Sequence, residues 1–111
     1  MTAAAPQLRR PDPNALRLIL DRHQRFVEGR TGGKRASLAY MDLSHFNLEG
    51  ADLTEANLTG AILSGAILTR ANLGRAVLFG ADLRDADLRQ ANLHTADLPV
   101  AEEILKTRQA G

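Results

Sequence analysis

Leucine recurs at every fifth position from Leu38 to Leu98 without a gap, thirteen times in all. Ala stands two positions before the Leu in eleven of these units, with Met41 and Phe46 as the exceptions. A period of five suits neither regular element. On an α-helix five residues advance about 500°, a net step of about 140°, so the leucines would spread around the cylinder and leave no apolar face. On one continuous strand an odd period throws successive leucines onto opposite sides. Residues two apart, however, share a side of an extended segment. The pattern therefore calls for about three extended residues, a bend, and the same again. If each unit turned the chain by a quarter, every Ala and Leu would face a common axis, but spacing alone does not fix the quarter turn.

The units Ala51-Asp52-Leu53-Thr54-Glu55, Ala56-Asn57-Leu58-Thr59-Gly60, Ala81-Asp82-Leu83-Arg84-Asp85 and Ala91-Asn92-Leu93-His94-Thr95 resemble those of the pentapeptide-repeat family. The resemblance covers residues 36–100 and implies an all-β fold, a right-handed quadrilateral β-helix of about three coils. Composition agrees. With no Cys, no Trp, one Tyr and three Phe, the core has to be made of Leu and Ala. Four leucines per coil nearly fill a narrow interior, so the other inward position must be small. Each buried Leu contributes about 1.5–3 kcal/mol by transfer from water. Nine units carry Asp or Asn before the Leu, where the side chain can accept a backbone N–H at the bend. Gly50, Gly60, Gly65 and Gly80 close their units, as a corner at positive φ would favour.

Residues 1–35 form a basic N-terminal segment. Asp12-Pro13-Asn14 reads as a helix start, and Leu16, Ile19, Leu20, His23, Phe26 and Val27 follow helical spacing, predicting a capping helix over about 14–28. Met41 and Phe46 are expected to plug the first coil and meet Phe26, with His23 at the helix edge. A Gly-rich connector, expected to be flexible, leads to the repeats. Pro99 ends them, and Ala101 to Arg108 reads as a short helix within a C-terminal tail of residues 101–111. The N-terminal segment holds eight Lys/Arg and three Asp/Glu, a balance of +5, whereas residues 36–100 hold four Arg and eight Asp/Glu, a balance of −4. At four units per turn Glu55, Arg75 and Thr95 share a corner column, which predicts a Glu55–Arg75 pair.

The sequence offers little chemistry. The stretch Gly29 to Arg35 fails as a phosphate loop, because three residues rather than four separate Gly29 from Gly33 and Arg35 stands where Ser or Thr should be. His23, His45 and His94 share no metal-ligand spacing. No nucleophile, base and orienting group occur together, and a solenoid filled with Leu and Ala leaves no ligand cavity. Catalytic, cofactor-binding and metal-binding residues are accordingly none, and no cofactor is expected. Arginines on the coil are outnumbered by acids, which disfavours direct nucleic-acid binding. No apolar stretch is long enough for a membrane span, and a cytoplasmic, bacterial protein is the expectation.

The sequence reading is a non-enzymatic protein-interaction or scaffold module, bound to a protein partner or to a second copy of itself. Its candidate interface is Ile62, Ile67 and Val77, which replace Asp or Asn, together with Phe79. The family resemblance also brings two other functions, a DNA mimic acting on DNA gyrase and a secreted bacterial effector. The modest −4 and the outward Arg70, Arg75, Arg84 and Arg89 argue against the first, and the sequence carries no address for the second.

Overall fold

The computed structural model describes residues 9–96. Its organising feature is a parallel ladder between positions twenty apart. Ser37 pairs with Asn57 and Asn57 with Val77, Asp42 with Ile62 and Ile62 with Asp82, Asn47 with Ile67 and Ile67 with Asp87, Asp52 with Asn72 and Asn72 with Asn92. Twenty residues are four units, so each series is one side of a four-sided coil, numbered here first to fourth in chain order. Leu58 donates its N–H to the Val77 carbonyl at 2.8 Å, and Val77 donates to the Ala56 carbonyl at 2.9 Å. The bonds therefore run along the coil axis.

Each corner is closed by a bond from the first residue of one unit to the Leu carbonyl of the unit before, such as Ala51 to Leu48 at 3.0 Å. The last residue of a unit lies at positive φ throughout the described coil. Glycine fills four of these corners, but Tyr40, His45, Glu55, Arg70, Arg75, Asp85, Gln90 and Thr95 adopt φ of 54–64° in the others. Positive φ at the third turn position alone is the signature of a type II turn. Glycine is thus the easy residue at these corners but not a required one.

Leu43, Leu53, Leu58, Leu63, Leu68, Leu73, Leu78, Leu83 and Leu88 are fully buried, with alanines from Ala56 to Ala76 between them. The inward register expected from the spacing is the observed one. Asp or Asn before the Leu turns outward and accepts the N–H two residues on. Asn57 Oδ1 accepts both the Thr59 N–H at 3.1 Å and its hydroxyl at 2.6 Å, and Asp52 serves Thr54 in the same way.

The helix α1, Pro13–Val27, packs on the first coil through buried Leu16 and His23, with Ile19 and Leu20 partly buried beside them. The helix is present where the sequence placed it, but three of its details differ. Phe26 does not meet Phe46; it stacks on the His23 ring at 5.7 Å. Phe46 instead lies under the Arg10 guanidinium, 4.4 Å from its ring centroid. His23 is not an edge residue, since it is wholly buried. The connector is also structured. Arg30 donates to the Arg25 carbonyl and Gly29 to the Phe26 carbonyl, which is the Schellman pattern, and Lys34 returns to the Arg22 carbonyl. A side chain on Gly33 would overlap the backbone of Phe26, so the connector can lie against the helix end only with glycine there.

The chain before α1 adds an element of its own. Arg9 forms a parallel bridge to Met41, and Asp42 donates to the Arg9 carbonyl at 2.7 Å, so one residue extends the second side upward. Arg10 bonds the Ser44 carbonyl at 2.9 Å and faces Asp42 at 3.5 Å. The predicted C-terminal helix, together with Leu98 and Pro99, lies outside the described residues.

Candidate functional site

The outward position before each Leu is where the candidate site is built. Eight of the twelve described units place there an Asp or Asn whose side chain accepts the N–H two residues on. Ile62, Ile67 and Val77 have no acceptor to offer, and the amides of Ser64, Thr69 and Phe79 lack that bond. These three units therefore give up a local bond of about 0.5–1.5 kcal/mol. Ile67 is 39% exposed and Phe79 is 59% exposed.

The coil distributes these residues over adjacent sides. Val77 and Phe79 lie on the first side, Ile62 lies on the second between Asp42 and Asp82, and Ile67 lies on the third between Asn47 and Asp87. Phe79 and Val77 thus share a surface, Ile62 borders it around one corner, and Ile67 is a full side further on. That intervening corner holds a residue the sequence reading overlooked. Tyr40 is 60% exposed, and the edge of its ring lies against Gly60, where a Cβ would overlap it. Gly80 follows Gly60 in the same column, where an added Cβ would only reach van der Waals contact with the Gly60 backbone. Tyr40 therefore joins Phe79 and Ile62 along one edge. The next column repeats the arrangement, with the His45 ring over Gly65. A reading of every twentieth residue, Tyr40, Gly60 and Gly80, would have found the site's aromatic neighbour.

Charge around the coil is largely self-paired. Asp82 binds Arg84 at 2.7 Å and Asp87 binds Arg89 at 2.6 Å, each through two nitrogens. Bonding to Arg84 holds the Asp82 carboxyl below its ordinary range, and Arg89 does the same for Asp87. Asp42 is also lowered, chiefly by the Ser44 hydroxyl and amide and then by Arg10. Glu55, Arg75 and Thr95 share a corner conformation and Arg75 donates its amide to the His94 carbonyl, but the predicted Glu55–Arg75 ion pair is absent from those formed among the described residues. The Glu55 carbonyl is bonded instead by Arg35 at 2.6 Å.

An open depression of about 500 Å³ runs along the third side, lined by Glu49, Ile67, Arg70, Asp87 and Arg89 among others. Arg70 is engaged by Gln90 and Glu49, and Arg89 by Asp87, so its charged groups satisfy one another. Among the described residues no group of three or more His, Asp or Glu is placed to hold a metal ion. His45 and His94 sit on the second and fourth sides, in the first and third coils. No helix among the described residues is long and apolar enough to cross a membrane.

The pentapeptide repeat family model matches residues 34–70 and 63–94, together more than half of the chain, in eight copies. The chain belongs to the pentapeptide repeat family. No curated protein matches it in sequence. Among solved structures it is similar to a pentapeptide repeat protein from the cyanobacterium Cyanothece, at 39% identity and a TM-score of 0.51, over 56% of this chain and 40% of that one. It is also similar to a pentapeptide repeat protein of the Arabidopsis thaliana thylakoid lumen, at 34% identity and a TM-score of 0.55, over 56% and 43%. The chain thus spans about two fifths of these relatives. Such neighbours imply a right-handed β-helix, in keeping with the twenty-residue ladder.

Proposed function

We propose that the chain is a non-enzymatic protein-interaction module that docks its partner on the edge formed by Phe79, Val77, Tyr40 and Ile62. One observation carries this reading. Three units replace the Asp or Asn that bonds the bend with an outward apolar side chain, giving up a local bond while leaving that side chain only half-buried or exposed. Exposed apolar groups scattered singly need no explanation, but Phe79 and Tyr40, each more than half exposed, flank these substitutions on one edge. Repeat solenoids present long regular surfaces suited to such contacts.

The partner is a protein with a small apolar surface of its own. Three stacked coils at about 4.8 Å spacing give a side only about 15 Å tall. At about three extended residues, or about 10 Å, wide, such a side offers only about 150 Å², well below the area of about 800 Å² per partner typical of a stable complex. The contact therefore extends over more than one side, and Ile67 on the third side is its outer limit. The test is capture from the native host with wild type and with Phe79→Glu/Ile62→Glu, beside sedimentation of each alone. Loss of a captured protein, or of self-association, with an unchanged melt supports the reading. Unchanged binding by a folded double variant rejects it.

A further inference from the structure

We propose that His23 is an acid-released latch holding α1 on the coil. The ring is wholly buried and both nitrogens are committed to backbone groups of opposite kind. Nδ1 lies 2.9 Å from the Ala36 nitrogen, which can only donate. Nε2 lies 2.7 Å from the Thr54 carbonyl oxygen, which can only accept. The two partners fix one tautomer, neutral imidazole with its proton on Nε2. One side chain of α1 thereby clasps the start of the first unit and the far end of the fourth, across the opening of the coil.

Protonation is incompatible with this arrangement. An imidazolium carries N–H on both nitrogens, so Nδ1–H would face the Ala36 N–H, and both donors would be buried without an acceptor. The charge would also be buried. The helix stacks Phe26 on the ring, and the Phe26 face attracts a cation only weakly compared with water. The charged residues that flank the latch and its two partners along the chain are Arg22 beside His23, Lys34 and Arg35 before Ala36, and Asp52 and Glu55 about Thr54. Arg35 is held on the Glu55 carbonyl and the Asp52 carboxylate on Thr54, and no ion pair among the described residues reaches the ring. A proton on Nδ1 would therefore meet a donor and gain no hydrogen-bonded carboxylate among the described residues.

The proton therefore binds after α1 has lifted, and the sign follows. The docked form is favoured while the free ring is neutral, and acid draws the chain toward the undocked form. With one proton taken up, the ratio of docked to undocked falls by at most about tenfold per pH unit. Undocking uncovers Leu16, the Ala36 N–H and the Thr54 carbonyl, so the first coil presents an open edge of the kind that accepts another strand.

The test is NMR of the full chain from neutral to mildly acid pH, following the His23 ring nitrogens and the hydrogen-exchange protection of the Ala36 amide, corrected for intrinsic exchange. The expected result is an Nε2–H tautomer at neutral pH and loss of Ala36 protection in step with ring protonation, while Leu63 and Leu68 amides stay protected. His23→Asn keeps an acceptor near the Nδ1 position and cannot titrate. Its Ala36 protection, high or low, is expected to stay constant across that range. A ring that protonates while Ala36 remains protected would overturn the proposal. So would an Nδ1–H tautomer, or the same pH profile in His23→Asn.

Discussion

Ile62 and Leu63 are neighbours in sequence with opposite fates in the coil, so one substitution made at each separates the two faces of the fold. Leu63 is fully buried. Leu63→Asn would lose about 1.5–3 kcal/mol of transfer free energy and leave a buried amide unsatisfied at about 1–3 kcal/mol. The total, roughly 3–6 kcal/mol, is a large part of the 5–15 kcal/mol typical of a whole domain. Ile62 is only half-buried, in a ladder between Asp42 and Asp82. Ile62→Asn would lose about 0.8–1.5 kcal/mol of apolar contact, half the figure for a fully buried side chain, and regain about 0.5–1.5 kcal/mol by accepting the Ser64 N–H, as Asn72 accepts that of Gly74. The net change is within about 1 kcal/mol. Asn is preferable to Asp, because a third carboxylate between two others at about 4.8 Å would add about 1 kcal/mol of repulsion per pair even in water. Thermal and urea melts by circular dichroism read the outcome. At about 4–8 °C per kcal/mol, Leu63→Asn should fall by more than about 12 °C or fail to fold, and Ile62→Asn should stay within about 8 °C of wild type. Equal shifts in the two variants would refute the inward register.

Three other outcomes follow from the same geometry. Gly60→Ala, placed at φ 64° beneath the Tyr40 ring, should lower stability by about 1–2 kcal/mol from the backbone alone, with more from the ring contact, whereas Gly60→Ala paired with Tyr40→Ala should recover the latter part in a urea melt. The lowered carboxyls of Asp42, Asp82 and Asp87 contribute stability that is present above the ordinary carboxylate range of about 4 and lost as pH falls through their own lower range; in His23→Asn, which lacks the latch's own titration, the melting temperature should hold to about pH 5 and decline below about pH 4. A gyrase supercoiling assay at micromolar protein should show no inhibition, since Asp82 and Asp87 are neutralised by Arg84 and Arg89 and give no phosphate-like field; inhibition that weakens steeply with salt would restore the DNA-mimic reading.

Much of this fold is legible in the sequence because the coil is one-dimensional: the Leu period sets the inward face, and with the four-sided coil that the family resemblance implies, every twentieth residue names a column. The outward Ile62, Ile67, Val77 and Phe79 could be found for the same reason, as breaks in a rule. Contacts made by long side chains or by non-repeating segments were not legible. Glu55 and Arg75 stack as predicted, yet their side chains do not join, because stacking fixes Cα positions and leaves exposed rotamers free. Arg9 and Arg10 lie before the helix with no period, so nothing in their spacing announces a bridge to Met41 or a guanidinium over Phe46. His23 follows the apolar face of α1, but helical spacing cannot tell an edge imidazole from one whose two nitrogens meet the backbone of Ala36 and Thr54. Tyr40 is not marked by the position before each Leu, because the place of its ring depends on a glycine twenty residues away.

The central claim, that the Phe79 edge is covered by a protein partner, is tested most directly by hydroxyl-radical footprinting. The purified chain and the chain recovered in complex from its native host are labelled side by side. In the purified chain Phe79 and Tyr40 should be modified, as should Leu18, which is 55% exposed on α1 away from the coil. In the complex Phe79 and Tyr40 should be protected while Leu18 remains reactive. Equal reactivity of Phe79 and Tyr40 in both states, or protection confined to Leu18, would contradict the account.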